Sequence, residues 1–193
     1  MLDNLEKYKV ILASGSPRRR ELMAGLGVNY EVRILPDVDE SYPDTLQGEE
    51  IPLYIAKEKA DAYIPMMQPD ELIITADTIV WLDGKVLGNP RDREDALQML
   101  RTMSGRTHEV FTGVCITTTD WQRSFTAQTE VRFATLSEDE IIYYVDNFKP
   151  MDKAGAYGVQ EWIGFIGVEN ISGSYYNIMG LPVQRLYREL LKV

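Results

Sequence analysis

Three observations predict an α/β fold with a mixed sheet and flanking helices. Two largely apolar runs, Val10–Leu12 and Leu72–Ala76, the second with Thr75 as its one polar residue, read as strands of a sheet covered on both faces. Helix-like segments alternate with these runs. A hairpin signal, Asp83-Gly84 between short β-type runs, shows that the sheet is not a purely doubly wound parallel one. Two lobes around a central cleft are expected. No linker, internal repeat or low-complexity tract marks a boundary between them.

The elements follow in order. A strand is predicted near Tyr8–Ala13, ending in the small polar residues Ser14, Gly15 and Ser16. Ser16 suits an N-cap and Pro17 the first helical position, so a helix runs to Leu26, with Gly27 as its C-terminal stop. A strand near Tyr30–Leu35 and a loop rich in Asp, Glu and Pro over 36–48 come next. The spacing predicts a helix over about 50–63, then the strand Leu72–Ala76. Ile79–Leu82 and Lys85–Leu87 flank the Asp83-Gly84 turn. Asn89-Pro90 is expected to open a helix through Met103, with Asn89 as N-cap. A second hairpin pairs Glu109–Thr118 with Arg123–Ala134. Ser137-Glu-Asp-Glu140 is a capping box starting a helix to about Asn147. The Gly-rich stretch 155–174 reads as loops and short strands. Pro182 starts a terminal helix with Leu186 and Leu190 on one face.

Composition narrows the function. The chain has 193 residues, 45% of them hydrophobic and 26% charged, ordinary for a folded domain. A formal net charge of -10 disfavours non-specific binding to nucleic acid or to an anionic membrane. Any phosphate site must then be a local basic pocket in an acidic body. The single cysteine, Cys115, excludes an intrachain disulfide. It lies in a strand-like run and reads as a buried structural thiol. With one histidine, His108, Cys–His catalysis ranks low, and zinc sites built on several Cys or His residues are excluded. The segment Met1–Lys9 has no apolar signal core and no apolar run is long enough to span a bilayer, so a cytoplasmic location is expected.

The run Ala13-Ser-Gly-Ser-Pro-Arg-Arg-Arg20 is the most informative. A strand, a tight polar turn and a helix start aim backbone N–H groups and the positive helix end at one point, which favours phosphate. Arginines add forked donors that match phosphate oxygens. An arginine run is also commonly just a solvated helix face. The run is neither a Walker loop nor a dinucleotide fingerprint. Asp77 follows an apolar strand, where a carboxylate reads as a metal ligand or base, or else as a cap or ion-pair partner. Thr78 beside it offers a hydroxyl. Asp39 and Glu40, with Asp37 and Asp44, form an acidic loop whose carboxylates suit a hard divalent ion, although solvated acidic loops are common. Lys57 and Lys59 share a helix on which Ala56 and Ala60 pack closely, so one lysine is placed to reach inward. Asp152-Lys-Ala-Gly-Ala-Tyr-Gly-Val-Gln160 pairs opposite charges with small residues and ends in an amide able to contact a base edge.

Taken together, the runs 13–19, Ala56-Lys-Glu-Lys-Ala60, Ala76-Asp-Thr78, 152–160 and Met179-Gly-Leu-Pro182 resemble the Maf family, in order and spacing across nearly the whole chain. The resemblance implies a single nucleoside triphosphate pyrophosphatase domain over 1–193, sharing its fold with inosine triphosphate pyrophosphatases, with the nucleotide in a cleft between two lobes. It implies cleavage between the α and β phosphates with a divalent metal, Mg2+ or Mn2+, and a homodimer. Arg19, Thr78 and Gln160 are similar to the specificity trio of the dTTP/UTP-cleaving branch. By the same match Asp77 and Lys59 are catalytic, and Glu40 and Asp77 hold metal. Ser14, Ser16, Arg18, Asn89, Asp152 and Lys153 then contact substrate. The family is also associated with inhibition of septum formation, and another branch cleaves 7-methyl-GTP. This leaves a nucleotide-binding regulator and a 7-methyl-GTP pyrophosphatase as alternatives. One departure is visible. Gly88-Asn89-Pro90 stands where many such proteins carry a lysine before the proline, which predicts weaker phosphate binding or a substitute cation such as Lys85 or Arg91.

Overall fold

A computed structural model describes residues 2–36 and 38–193; Asp37 of the acidic loop and Met1 lie outside the described residues. After a 3-10 turn at Asp3–Leu5 come β1 (Lys9–Leu12), α1 (Pro17–Gly25), β2 (Glu31–Val32), α2 (Glu50–Tyr63), β3 (Glu71–Leu82), β4 (Lys85–Leu87) and α3 (Arg93–Met103). Then follow β5 (Thr107–Thr117), β6 (Gln122–Phe133), α4 (Glu138–Phe148), α5 (Trp162–Gly167), β7 (Val168–Ser172), α6 (Tyr175–Ile178) and α7 (Val183–Leu190). Further 3-10 turns lie at Ile64–Met66 and Ala154–Ala156.

The sheet runs β2-β1-β3-β5-β6-β7, with β4 paired to β3 off that path. β1 pairs parallel with β2 and with β3, from Lys9 opposite Glu71 to Leu12 opposite Ile74. β3–β4 and β6–β7 are antiparallel. The sheet is therefore mixed, with helices flanking it, as the alternation of apolar runs and hairpin signals predicts. The chain divides into two compact units, one comprising 1–77, 112–127 and 180–193, the other 78–111 and 128–179.

In the first unit, Val10, Ile11 and Leu12 are buried, and Ile11 and Ile73 pack with Tyr63 of α2. The Tyr63 hydroxyl donates to the Arg33 carbonyl (2.8 Å) and accepts from Leu35 N–H (3.0 Å), which fastens the chain after β2 to this helix. Ala56 and Ala60 of α2 bury against Cys115 of β5. The approach is close because residue 113 is glycine: a Cβ there would lie 2.4 Å from the Pro52 carbonyl. Burial pushes the Cys115 thiol up to about 11, in line with an inert structural role. In the second unit, α3 and α4 are joined by Arg101, which bonds Glu94 and Glu138, and by the Arg93–Asp146 pair. His108, Phe133 and Tyr157 form an edge-to-face aromatic cluster with centroids 4.9–5.3 Å apart.

Several local expectations need correction. Asp77 does not end a strand. β3 continues through it to Leu82 because Thr78, Ile79 and Val80 are strand formers, and Val80–Leu82 pair with β4. Asp77 does lie beyond the last parallel pair, Leu12 opposite Ile74. Asn89 is not the N-cap of α3. That helix starts at Arg93, and the Asp92 carboxylate accepts from Asp95 N–H at 2.8 Å. β2 has only two residues rather than the six of 30–35, and both are exposed, so no burial extends it. Within 155–174 a short helix, α5, precedes β7; its interrupting glycines, Gly164 and Gly167, obscured the helical period. The Ser137–Glu140 capping box forms as expected, and Asp83 and Gly84 both take positive φ (52° and 75°), as a two-residue hairpin turn requires.

Candidate active site

The turn after β1 is built by its own side chains. Ala13 N–H continues the β3 ladder to the Ile74 carbonyl (2.9 Å). Ser14 is 7% exposed, and its Oγ accepts from Ser16 N–H (3.2 Å). The Ser16 Oγ caps α1 by accepting from Arg19 N–H (3.4 Å), with Pro17 at the first helical position. Ser14, Ser16 and Arg19, at the start of α1, all line one cavity.

Arg19 is held by backbone. Its Nε donates to the Gly180 carbonyl (2.7 Å) and one terminal nitrogen to the Ala76 carbonyl (2.9 Å), the residue before Asp77. Burial lowers the guanidinium from its ordinary value; Asp77 and Glu40 oppose that shift, and Arg18 adds to it. An arginine remains charged under such a shift. Lys59 is the inward lysine of α2, and Lys57 is exposed. The Lys59 ammonium bonds Asp77 Oδ1 at 2.9 Å and Glu40 Oε1 at 2.8 Å. The side chains of Lys59 and Asp77 are mostly buried, that of Glu40 mostly exposed. Ser14, Ser16, Arg19, Glu40, Lys59 and Ala76 are among the residues lining one cavity of about 250 Å³. Arg18, on the same helix, is half-buried. That volume is just below the ~300–1,000 Å³ of whole-ligand pockets.

The second unit holds Thr78, Asn89, Asp152, Lys153 and Gln160. Gly155 takes φ 68°, its N–H donates to the Gly88 carbonyl (3.0 Å), and a Cβ there would meet Val80 at 2.9 Å. This bond brings the segment of the exposed Asn89 beside the 152–160 loop. Lys153 is 8% exposed and bonds Asp152 at 2.8 Å. The Gln160 Oε1 is buried with no hydrogen-bond partner among the described residues. Arg91, one proposed substitute for the absent lysine, is engaged by Asp95 through Nε (3.0 Å) and a terminal nitrogen (3.1 Å).

Two residues escaped the sequence reading. The Glu161 carboxylate bonds Lys153 and accepts from the Tyr144 hydroxyl. Glu161 adjoins the singled-out run, but Tyr144 sits on a helix whose apolar spacing marks it only as core. No group of three or more His, Cys, Asp or Glu side chains converges among the described residues. No helix among them is long and apolar enough to cross a membrane.

A family model described as Maf-like protein matches residues 9–193. A dTTP/UTP pyrophosphatase of Bacteroides thetaiotaomicron is 71% identical over 193 residues, covering all of both chains. A protein of the same name from Porphyromonas gingivalis is 55% identical over 98% of this chain and 96% of its own. Among solved structures, the Staphylococcus aureus Ham1 protein aligns with a TM-score of 0.54 at 16% identity, over 94% of this chain and 99% of that one. A HAM1 protein from Coxiella burnetii gives 0.52 at 14% identity, over 96% and 100%. At these identities the two structures attest the fold.

Proposed function

The chain belongs to the Maf-like protein family, and from that premise we propose that it hydrolyses dTTP and UTP to the nucleoside monophosphate and pyrophosphate. The observation that carries the reading is Lys59 bridging Glu40 and Asp77 on a cavity that Ser14, Ser16 and Arg19 also line. A cation between two carboxylates, next to a helix start and a fixed arginine, is suited to a polyphosphate and to the water that attacks it. We assign Ser14, Ser16, Arg18, Arg19, Asn89, Asp152 and Lys153 to the substrate.

Water attacks the α-phosphorus, and the bond from that phosphorus to the α–β bridging oxygen breaks as pyrophosphate leaves. Lys59 holds Asp77 through Oδ1, so Oδ2 is the oxygen we assign either to orienting the water and taking its proton or to the metal. Arg18, Arg19 and Lys59 stabilise charge on the phosphates. Two carboxylates converging on one cation are suitable donors for Mg2+ or Mn2+, which take one or two carboxylates together with phosphate and water oxygens. Glu40 and Asp77 would hold the metal, and it would neutralise phosphate charge.

Thymine and uracil present an N3–H donor, whereas cytosine presents an acceptor there. The unpartnered Gln160 Oε1 suits the donor, and Thr78 offers a second polar contact. Modified pyrimidine nucleotides that keep this edge fall within the proposed range. A homodimer belongs to the proposal on the family resemblance alone, and a cytoplasmic location on the sequence expectation above.

An Asp77→Asn variant tests the assignment, since asparagine can still accept from Lys59. It should bind dTTP while losing about 10²–10⁴-fold in kcat. Undiminished turnover removes Asp77 from catalysis.

A further inference from the structure

Glu161 occupies the N-cap of α5 yet does not cap it: its side chain makes no hydrogen bond to that helix. Glutamate is not a favoured capping residue, and here the carboxylate is used elsewhere. It accepts from the Tyr144 hydroxyl of α4, and Oε1 lies 3.3 Å from the Lys153 ammonium. The same Tyr144 oxygen accepts from Gly158 N–H at 2.9 Å. Tyr144 thus ties the backbone of the 152–160 loop and the Glu161 carboxylate to one helix.

The fit is close. A Cβ on Gly158 would lie 3.0 Å from the Glu161 carboxyl carbon and 3.1 Å from Lys153 Cε. Tyr144 is fully buried, and burial, then Glu161, pushes its phenol above its ordinary range, so it stays a donor. A lysine has a flexible four-carbon stem whose ordering costs rotamer entropy. An ammonium this buried also needs hydrogen-bond partners in place of the water it loses. Asp152 supplies one from the exposed side, and Glu161 supplies the other from within.

We propose that Glu161, fixed by Tyr144, is a positioning residue that orders the Lys153 ammonium for the nucleotide's polyphosphate before substrate arrives. This rests on the reading above that Lys153 contacts the polyphosphate. Glu161 itself touches no substrate and acts only through Lys153.

A double-mutant cycle on the full chain tests it, with two readouts: steady-state hydrolysis of dTTP, and calorimetric binding of inorganic tripolyphosphate. Glu161→Ala should raise KM about tenfold with kcat within about twofold, and weaken tripolyphosphate about tenfold, as expected for losing a charged hydrogen-bond partner. In a Lys153→Gln background the same change should cost less than about twofold. Glu161→Gln, which keeps the shape, should cost about threefold and serves if the alanine variant does not fold. Equal losses in both backgrounds overturn the proposal, because a merely structural carboxylate would matter with or without Lys153. So does no loss in either, or failure of the parent protein to bind tripolyphosphate. Coupled loss of tripolyphosphate binding in a protein that releases no pyrophosphate removes the proposed activity and leaves the positioning role standing. Additive losses in a protein that turns over dTTP do the reverse.

Discussion

His108 offers a quantitative test of the second unit's packing, because it is the chain's only histidine. The ring is 1% exposed and its Nε2 sits 2.7 Å from the Tyr157 hydroxyl. It packs edge-on against Phe133 and Tyr157. Nδ1 is buried with no partner among the described residues, and burial pushes the imidazole from 6.5 down to about 4. Below pH 6.5 the unfolded chain therefore takes up a proton that the folded chain refuses until about pH 4. The unfolded state binds more protons across that window, so stability rises with pH there and falls as pH drops from 6.5 to 4. At ~1.36 kcal/mol per pKa unit the full loss is about 3 kcal/mol, and about 2.5 kcal/mol of it should be spent by pH 4.5. In His108→Gln this contribution is absent, while every carboxylate is unchanged. Urea unfolding of both proteins at pH 7.5 and 4.5 reads the difference. Parent stability relative to the variant should fall by about 2.5 kcal/mol between the two pH values. The imidazole C2–H proton resonance should stay unshifted down to about pH 5. A constant stability difference, or a resonance titrating near 6.5, refutes the account of a dry, neutral ring.

Two further predictions concern the site. Gly113→Ala places a Cβ 2.4 Å from the Pro52 carbonyl, so α2 must shift and carry Lys59 with it. It should cost about 3 kcal/mol or more, at about 2–4 °C of Tm per kcal/mol, and lower kcat/KM together with stability; calorimetry and turnover check both. Asn89→Lys restores a cation beside the 152–160 loop and should raise kcat/KM for dTTP about two- to fivefold, the scale of an exposed charge. An unchanged value means the missing lysine has no role at this position.

Legibility in the sequence followed physical locality. β1, the Ser16–Pro17 helix start, the Ser137 capping box and the Asp83-Gly84 hairpin were readable because neighbouring residues determine each of them. That one of Lys57 and Lys59 turns inward was readable from Ala56 and Ala60, which let α2 pack closely; that it is Lys59 was implied only by the family resemblance. Contacts between distant segments were not readable. Nothing local says that Arg19 is pinned by the carbonyls of Ala76 and Gly180, or that Lys59 joins Glu40 to Asp77. Nothing local singles out Tyr144, whose ring is core; only the fold shows its hydroxyl reaching Gly158 and Glu161. The cap of α3 was misplaced because Asn89-Pro90 and Asp92 both carry start signals, and the hydrogen bond to Asp95 N–H decides between them.

Pyrophosphate release by the purified protein with Mg2+ or Mn2+ tests the central claim most directly, run across dTTP, UTP, CTP, ATP, GTP and 7-methyl-GTP. The account predicts preferential release from dTTP and UTP, abolished in Asp77→Asn. Preference for 7-methyl-GTP, or nucleotide binding without release from any of the six, contradicts it.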